Sequence, residues 1–307
     1  MTPLHIVSPL IEAPSWSTPE RRVRLKLDSL QPGGSFKIRG IGHLVDHRPD
    51  GVDHLVSSSG GNAGVATATA ATARGLRCTV VVPTTTPDEA KARIRSLDAD
   101  VVVAGGVWDE AHAEAMSIVD ADPAAMAVHP FDHPLLWDGH ASLVDELTEQ
   151  TGSTGSADTA PDAIVCCVGG GGLLSGVATG LDRNGWTDTR IVAVETHGAA
   201  SYAAAVDAGE PVQIESIDSI AKSLGARRVA DEAFGWSRRL DVRPWQCSDA
   251  DALAACRRML DEYRQFVEPA CGASIAAVLN ECDALEGASD VVVVVCGGTV
   301  VQLADLL

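Results

Sequence analysis

Lys37 lies in the run Pro32-Gly33-Gly34-Ser35-Phe36-Lys37-Ile38-Arg39-Gly40 and is one of only four lysines in 307 residues. The others are Lys26, Lys91 and Lys222; elsewhere arginine carries the positive charge. Arginine stays protonated, whereas a lysine amine can lose its proton and attack a carbonyl. The alternative is an ordinary solvated helix lysine. A second run, Val168-Gly169-Gly170-Gly171-Gly172-Leu173-Leu174-Ser175-Gly176, joins an apolar stretch to a helical pattern. Converging backbone N–H groups and the positive end of a helix make such a bend an anion site; a plain strand-to-helix turn is the other reading. No Gly-Lys-Ser/Thr follows, so it is not a Walker loop. It also lacks the Gly-x-Gly-x-x-Gly of a first dinucleotide-binding strand. Ser57-Ser58-Ser59-Gly60-Gly61-Asn62-Ala63-Gly64 sets hydroxyls, an amide and N–H groups at a helix start. That suits a carboxylate, or simple capping by Ser59 or Asn62. Val295-Cys296-Gly297-Gly298-Thr299 puts a thiol at the end of the last apolar run, where a buried structural cysteine is the alternative.

Short Val-rich runs and Ala-rich helical stretches must position these groups. Strands are expected at Val23–Leu27, His54–Ser57, Cys78–Val82, Asp100–Val103, Ala163–Val168, Arg190–Glu195 and Val291–Cys296. They are continuous apolar runs, as in strands buried on both faces. Helices are expected at Asn62–Arg74, Pro87–Leu97, Trp108–Val119 and Gly172–Leu181, with Gly75 ending the first. Ser35 is placed to cap the helix that carries Lys37. Alternation of this kind predicts parallel α/β sheets. Thr151–Pro161 is the clearest loop.

The length suggests about two domains of ~150 residues. The chain is 46% hydrophobic but only 4% aromatic, so aliphatic residues must fill the core. A formal net charge of −19 argues against nucleic acid and anionic membranes as partners. No signal peptide or membrane-length apolar run is evident. The eight cysteines form no Cys-x-x-Cys pair, which fits buried thiols in a reducing cytoplasm.

Together, in this order, the motifs resemble the pyridoxal-phosphate enzymes of the tryptophan-synthase-β fold. Within that fold they resemble the L-serine/L-threonine dehydratases, and most of all the mammalian-type serine dehydratase branch. Supporting segments run nearly end to end: Leu27–His43, His129-Pro130-Phe131-Asp132, Trp137–Ser142, Glu195–Ala199, Ala221–Gly225 and Val267–Ala273. The resemblance implies an α/β protein of two open, twisted, mostly parallel sheets flanked by helices, with the cofactor in the cleft between two domains. Residues 1–40 and 133–307 would form the large domain and 41–132 the small one. Lys37 would hold pyridoxal phosphate as a Schiff base near a helix N-terminus, where the helix dipole would lower its pKa, and would take the substrate α-proton. Phe36 would pack on the ring. Gly169, Gly170, Gly171, Gly172 and Leu173 would hold the phosphate, Asn62 the phenolic oxygen, and Cys296 would face the pyridine nitrogen. Ser58, Ser59, Gly61, Asn62 and Ala63 would bind the substrate carboxylate. Carbonyls of Gly169, Ala199, Leu224 and Ala226, with Glu195 nearby, would hold a monovalent cation such as potassium. The reaction would be β-elimination, turning the small amino acid L-serine into pyruvate and ammonia, or L-threonine into 2-oxobutanoate and ammonia. A homodimer in the cytoplasm is the family expectation.

Two positions depart from the family pattern. Gly60 stands where serine racemases carry a serine, so no acid faces the lysine across the cofactor, and elimination without racemisation is expected. Ser223 replaces a small apolar residue over the ring. Racemisation, β-replacement and a non-catalytic binding protein are the competing readings.

Overall fold

The computed structural model describes residues 1–152, 160–280 and 282–306. Residues 153–159 of the expected Thr151–Pro161 loop lie outside them. The described residues form two sheets. One has the order β1 (Leu10–Glu12), β2 (Arg22–Lys26), β10 (Asp290–Val294), β7 (Ala163–Cys167), β8 (Arg190–Thr196), β9 (Val242–Cys247). Only β1 runs antiparallel to its neighbour. The other sheet, wholly parallel, has the order β5 (Asp100–Val103), β4 (Arg77–Val82), β3 (His54–Ser57), β6 (Ala125–Ala127).

The helices are α1 (Lys37–Asp46), α2 (Asn62–Arg74), α3 (Asp88–Arg95), α4 (Trp108–Ala121), α5 (Pro134–Gln150), α6 (Gly172–Arg183), α7 (Ser201–Ala208), α8 (Asp231–Trp236), α9 (Asp249–Tyr263) and α10 (Pro269–Leu279). All seven expected strands and all four expected helices are present, with ends shifted by at most two residues. Three strands were not anticipated: β1, β6 and β9.

The central strands are buried on both faces. Every residue of β3 and β7 is buried, as is the valine run of β10. In α2, small Ala, Thr and Gly side chains let the helix lie close to its sheet, and nine of its residues are buried. Gly75, at φ 64°, then ends it in the left-handed conformation. A Cβ on Gly176 of α6 would overlap His140 of α5, so that glycine sets how closely the two helices pack.

A buried ionic cluster fixes α1 against this core. Arg39 and Asp28 are both fully buried. The Arg39 guanidinium donates to both Asp28 oxygens at 2.7 and 2.8 Å, and to both Glu146 oxygens at 2.6 and 2.8 Å. Lys26 adds a bond of 2.5 Å to Glu146. α1 is thereby tied to α5 and to the segment after β2.

Parallel α/β sheets place ligands beyond the carboxyl ends of their strands. The sequence motifs fall there. Ser58–Asn62 follows β3, Gly169–Gly172 follows β7, Cys296–Thr299 follows β10, and His129–Phe131 follows β6.

Candidate active site

Lys37 is the first residue of α1. The expected cap is not made by Ser35: Phe36 occupies the N-cap and no side chain caps the helix. Ser35 is extended, at φ −157° and ψ 160°, and bridges to Gly297. Backbone bonds do the anchoring. Phe36 N–H donates to the Cys296 carbonyl at 3.0 Å, and Gly298 N–H to the Gly34 carbonyl at 2.8 Å. The Lys37 turn is thus stitched to the turn after β10.

Lys37 Nζ donates to the Pro130 carbonyl at 2.6 Å and lies 5.0 Å from the centre of the Phe36 ring. Burial lowers its pKa to about 8, against the opposing pull of Cys167, Cys296 and Glu268. Desolvation of the ammonium therefore does what the helix dipole was expected to do. The amine attacks a carbonyl only when neutral. The rate at which apo-protein takes up pyridoxal phosphate is expected to rise with pH about a midpoint near 8 rather than near 10.5. Stopped-flow absorbance across pH 6–10 checks this; a profile still climbing tenfold per unit above pH 9 would contradict it.

Phe36 is buried against the His140 ring, 5.0 Å between centres. His140 Nδ1 accepts from Gly40 N–H at 3.2 Å, and burial holds its pKa well below the usual histidine value. The imidazole is a neutral wall behind Phe36.

The glycine loop opens α6. From Gly169 to Leu174 no backbone N–H donates to a backbone carbonyl among the described residues. Gly171, at φ 92°, turns the chain into the helix. Phe131 packs so tightly on the loop that a Cβ on Gly170 would overlap its ring. Phe131 follows Pro130, whose carbonyl holds Lys37, so loop and lysine are neighbours. Free N–H groups at the start of a twelve-residue helix form an anion cradle.

A second such start belongs to α2. The N–H groups of Asn62, Ala63 and Gly64 have no backbone acceptor among the described residues. Ser58 and Ala63 are buried, and Ser59 and Gly61 are partly so. Ser59 Oγ accepts from Gly61 N–H at 3.3 Å. Ser58 Oγ lies 3.0 Å from His112 Nδ1, and His112 stacks on Trp108 with ring centres 4.8 Å apart. Asn62 reaches from α2 to the other sheet. Its Oδ1 accepts from Thr299 N–H at 2.8 Å, and its Nδ2 donates to Ser223 Oγ at 3.3 Å and Glu268 Oε1 at 2.8 Å.

Cys296 is buried with its Sγ 3.6 Å from Cys167 Sγ. The thiols of Cys167 and Cys271, together with burial, push its pKa well up, so it is neutral. All eight cysteines are buried and free. At the expected cation site, Glu195 accepts N–H groups of Tyr202 and Ala203, each at 2.8 Å, at the start of α7. Burial raises its pKa to about 7 against those two bonds. The Leu224 carbonyl accepts from Ala226 N–H at 2.8 Å, and a Cβ on Gly169 would press on the Ser223 carbonyl. Gly169 and Leu224 are therefore adjacent, and Ala199 is buried near the end of β8.

Sequence reasoning gave no role to Glu268, His112, His129 or the Pro130 carbonyl. His129 Nδ1 accepts from Asp132 N–H at 2.8 Å. Burial, then His112, Lys37 and His133, push its pKa down to about 4.

The residues fit a phosphorylated aromatic aldehyde. The α6 N–H groups suit a phosphate, and the desolvated Lys37 amine suits the aldehyde. A neutral, buried thiol, Cys296, follows β10, and glycines leave the loop open. Comparisons with known proteins agree. The family described as "Pyridoxal-phosphate dependent enzyme" matches residues 1–297. The chain is 43% identical to a "Serine dehydratase-like" protein of Mus musculus, over 99% of this chain and 93% of that one. It is 42% identical to an "L-serine dehydratase/L-threonine deaminase" of Homo sapiens, over 99% and 94%. Among solved structures, a fungal L-serine ammonia-lyase from Rhizomucor miehei superposes with a TM-score of 0.90 at 35% identity, covering 99% of this chain and 97% of that one. With a family match over residues 1–297 and relatives more than 40% identical over nearly the whole chain, the chain belongs to the pyridoxal-phosphate dependent enzyme family.

Proposed function

We propose that this enzyme eliminates water from L-serine and L-threonine, giving pyruvate or 2-oxobutanoate and ammonia. The observation that carries the reading is a desolvated Lys37 amine beside the start of α6, with the start of α2 as a second such end, both with N–H groups that have no backbone acceptor among the described residues. One suits the cofactor phosphate and the other the substrate carboxylate. Relatives named as serine dehydratases and threonine deaminases support the substrate class.

When bound, the cofactor supplies an electron sink for the charge that develops at the substrate α-carbon. The chain supplies the rest. Gly169, Gly170, Gly171, Gly172 and Leu173 hold the phosphate through backbone N–H groups, and Phe36 lies against the ring. Asn62 donates to the phenolic oxygen. Cys296, a neutral thiol, would face the pyridine nitrogen. Ser58, Ser59, Gly61, Asn62 and Ala63 hold the carboxylate, with His112 orienting Ser58. Lys37 binds the cofactor and takes the α-proton. Carbonyls of Gly169, Ala199, Leu224 and Ala226, with Glu195 nearby, would hold a monovalent cation. The division into residues 1–40 with 133–307 and residues 41–132 belongs to the same reading. So do a homodimer and a cytoplasmic location. No helix among the described residues is long and apolar enough to cross a membrane.

Gly60 discriminates elimination from racemisation. It offers no side chain to return a proton on the face opposite Lys37, and a Cβ there would sit 2.9 Å from Thr86 Cγ2. With L-serine, pyruvate is expected to exceed D-serine by about 100-fold or more. Chiral chromatography beside a pyruvate and 2-oxobutanoate assay measures this. Abundant D-serine would favour racemisation, and no keto acid from either substrate would overturn the proposed function.

A further inference from the structure

Glu268 has no part in the chemistry above, yet its placement is costly. It is 2% exposed, at the N-cap of α10, and its side chain does not cap that helix. It turns instead to Asn62, accepting from Nδ2 through Oε1 at 2.8 Å. Its other oxygen, Oε2, is buried with no hydrogen-bond partner among the described residues. A Cβ on Gly298 would overlap the carboxyl, so glycine at 298 is what leaves room for it. A buried carboxyl with one unpartnered oxygen costs stability. Burial raises its pKa, against Ser223, Asn62, the Val300 backbone N–H and the Lys37 charge. A group that weakens the fold and leaves its own helix uncapped points to function.

The Asn62 amide shows what that function is. Thr299 donates to Oδ1 through N–H at 2.8 Å and Oγ1 at 3.1 Å, which decides which end of the amide is the oxygen. Nδ2 then carries two N–H groups. Glu268 takes one in a short bond. The other rests on Ser223 Oγ at 3.3 Å, a long contact that a better acceptor displaces. Glu268 and Thr299 together fix the plane of the amide and leave a single N–H free to serve a ligand.

We propose that Glu268 is a positioning residue for Asn62, committing one amide N–H so that the other is aimed at the phenolic oxygen of bound pyridoxal phosphate. It rests on the reading of Asn62 given under Proposed function. Glu268 touches neither substrate nor cofactor in this assignment and acts through the amide.

A double-mutant cycle tests it on the full-length protein stripped of cofactor. Asn62→Ala, Glu268→Ala, Glu268→Gln and the double alanine variant are titrated with pyridoxal phosphate by visible absorbance, and each apo-protein is melted. Asn62→Ala and Glu268→Ala are each expected to weaken cofactor binding by about tenfold. The double variant binds no more weakly than Asn62→Ala, because Glu268 has nothing left to position. Glu268→Gln stays within about twofold of wild type, since its amide oxygen still accepts from Nδ2. The apo melting temperature of Glu268→Ala equals or exceeds that of wild type. Losses that add in the double variant, or a Glu268→Ala protein that binds cofactor like wild type, overturn the positioning role while leaving Asn62 in place. An Asn62→Ala protein that binds like wild type overturns the Asn62 reading itself, and the proposal with it.

Discussion

Replacing Lys37 with alanine is expected to cut pyruvate formation from L-serine by about 10⁴-fold or more. On the proposed reading one amine does two jobs, binding the cofactor and taking the α-proton. Among the described residues the Glu268 carboxyl is the nearby acid, and it is held by the Asn62 amide. The Pro130 carbonyl on Lys37 has no proton to move. His129 lies nearby, but its Nδ1 already accepts from Asp132 N–H. Lys37→Arg keeps the positive charge and is expected to be as inactive, because a guanidinium neither loses its proton nor adds to an aldehyde. The apo-proteins of both variants should fold, since the change relieves a desolvated ammonium rather than exposing a core. Steady-state pyruvate assays check the effect, and either variant within tenfold of wild type would contradict it.

Arg39→Ala is expected to be the most damaging change to stability. Two carboxylates, Asp28 and Glu146, share one buried guanidinium through four hydrogen bonds of 2.6 to 2.8 Å. Burial pushes the Asp28 pKa up, and the Arg39 charge and bonds more than cancel that. Removing the guanidinium leaves the two acids, among the described residues, with Ser8, Gln31, Lys26 and, at 3.9 Å from Glu146, His5. Breaking a buried pair in this way costs about 3–5 kcal/mol, or roughly 10 °C of melting temperature for a chain of this size. Arg39→Lys should recover little, because an ammonium cannot offer the planar fork that both acids use. Thermal melting decides; a loss under about 2 °C would mean that the cluster is not holding α1. Because α1 begins at Lys37, the same variant should lose kcat beyond its loss of folded protein.

How far the sequence could be read depends on where each element sits. Strands buried on both faces announce themselves as continuous apolar runs, and β4, β7 and β10 were legible for that reason; β5, at a sheet edge and only partly buried, was legible from its three valines. The three unforeseen strands all lie at sheet edges. β1 and β6 have three residues each. β9 carries Pro244, which an edge tolerates and a central strand does not. The glycine cradle and Lys37 were legible because local composition betrays them. Ser35 misled because a serine before a helix normally caps it, whereas here the backbone is drawn into an extended bridge with Gly297. Glu268 stayed hidden for a different reason. Its partner Asn62 is 206 residues away, and Ser223 meets the same amide from 161 residues away. No local pattern encodes such contacts. The Pro130 carbonyl, 93 residues from Lys37, left no side-chain trace at all.

The central claim is that Lys37 carries the cofactor, and covalent trapping tests it directly. The purified protein is loaded with pyridoxal phosphate, reduced with borohydride, digested and mapped by mass spectrometry. The account predicts one phosphopyridoxyl group per chain, on the peptide that contains Lys37. Label on Lys26, Lys91 or Lys222 instead, or none after reduction of a cofactor-loaded sample, would contradict it.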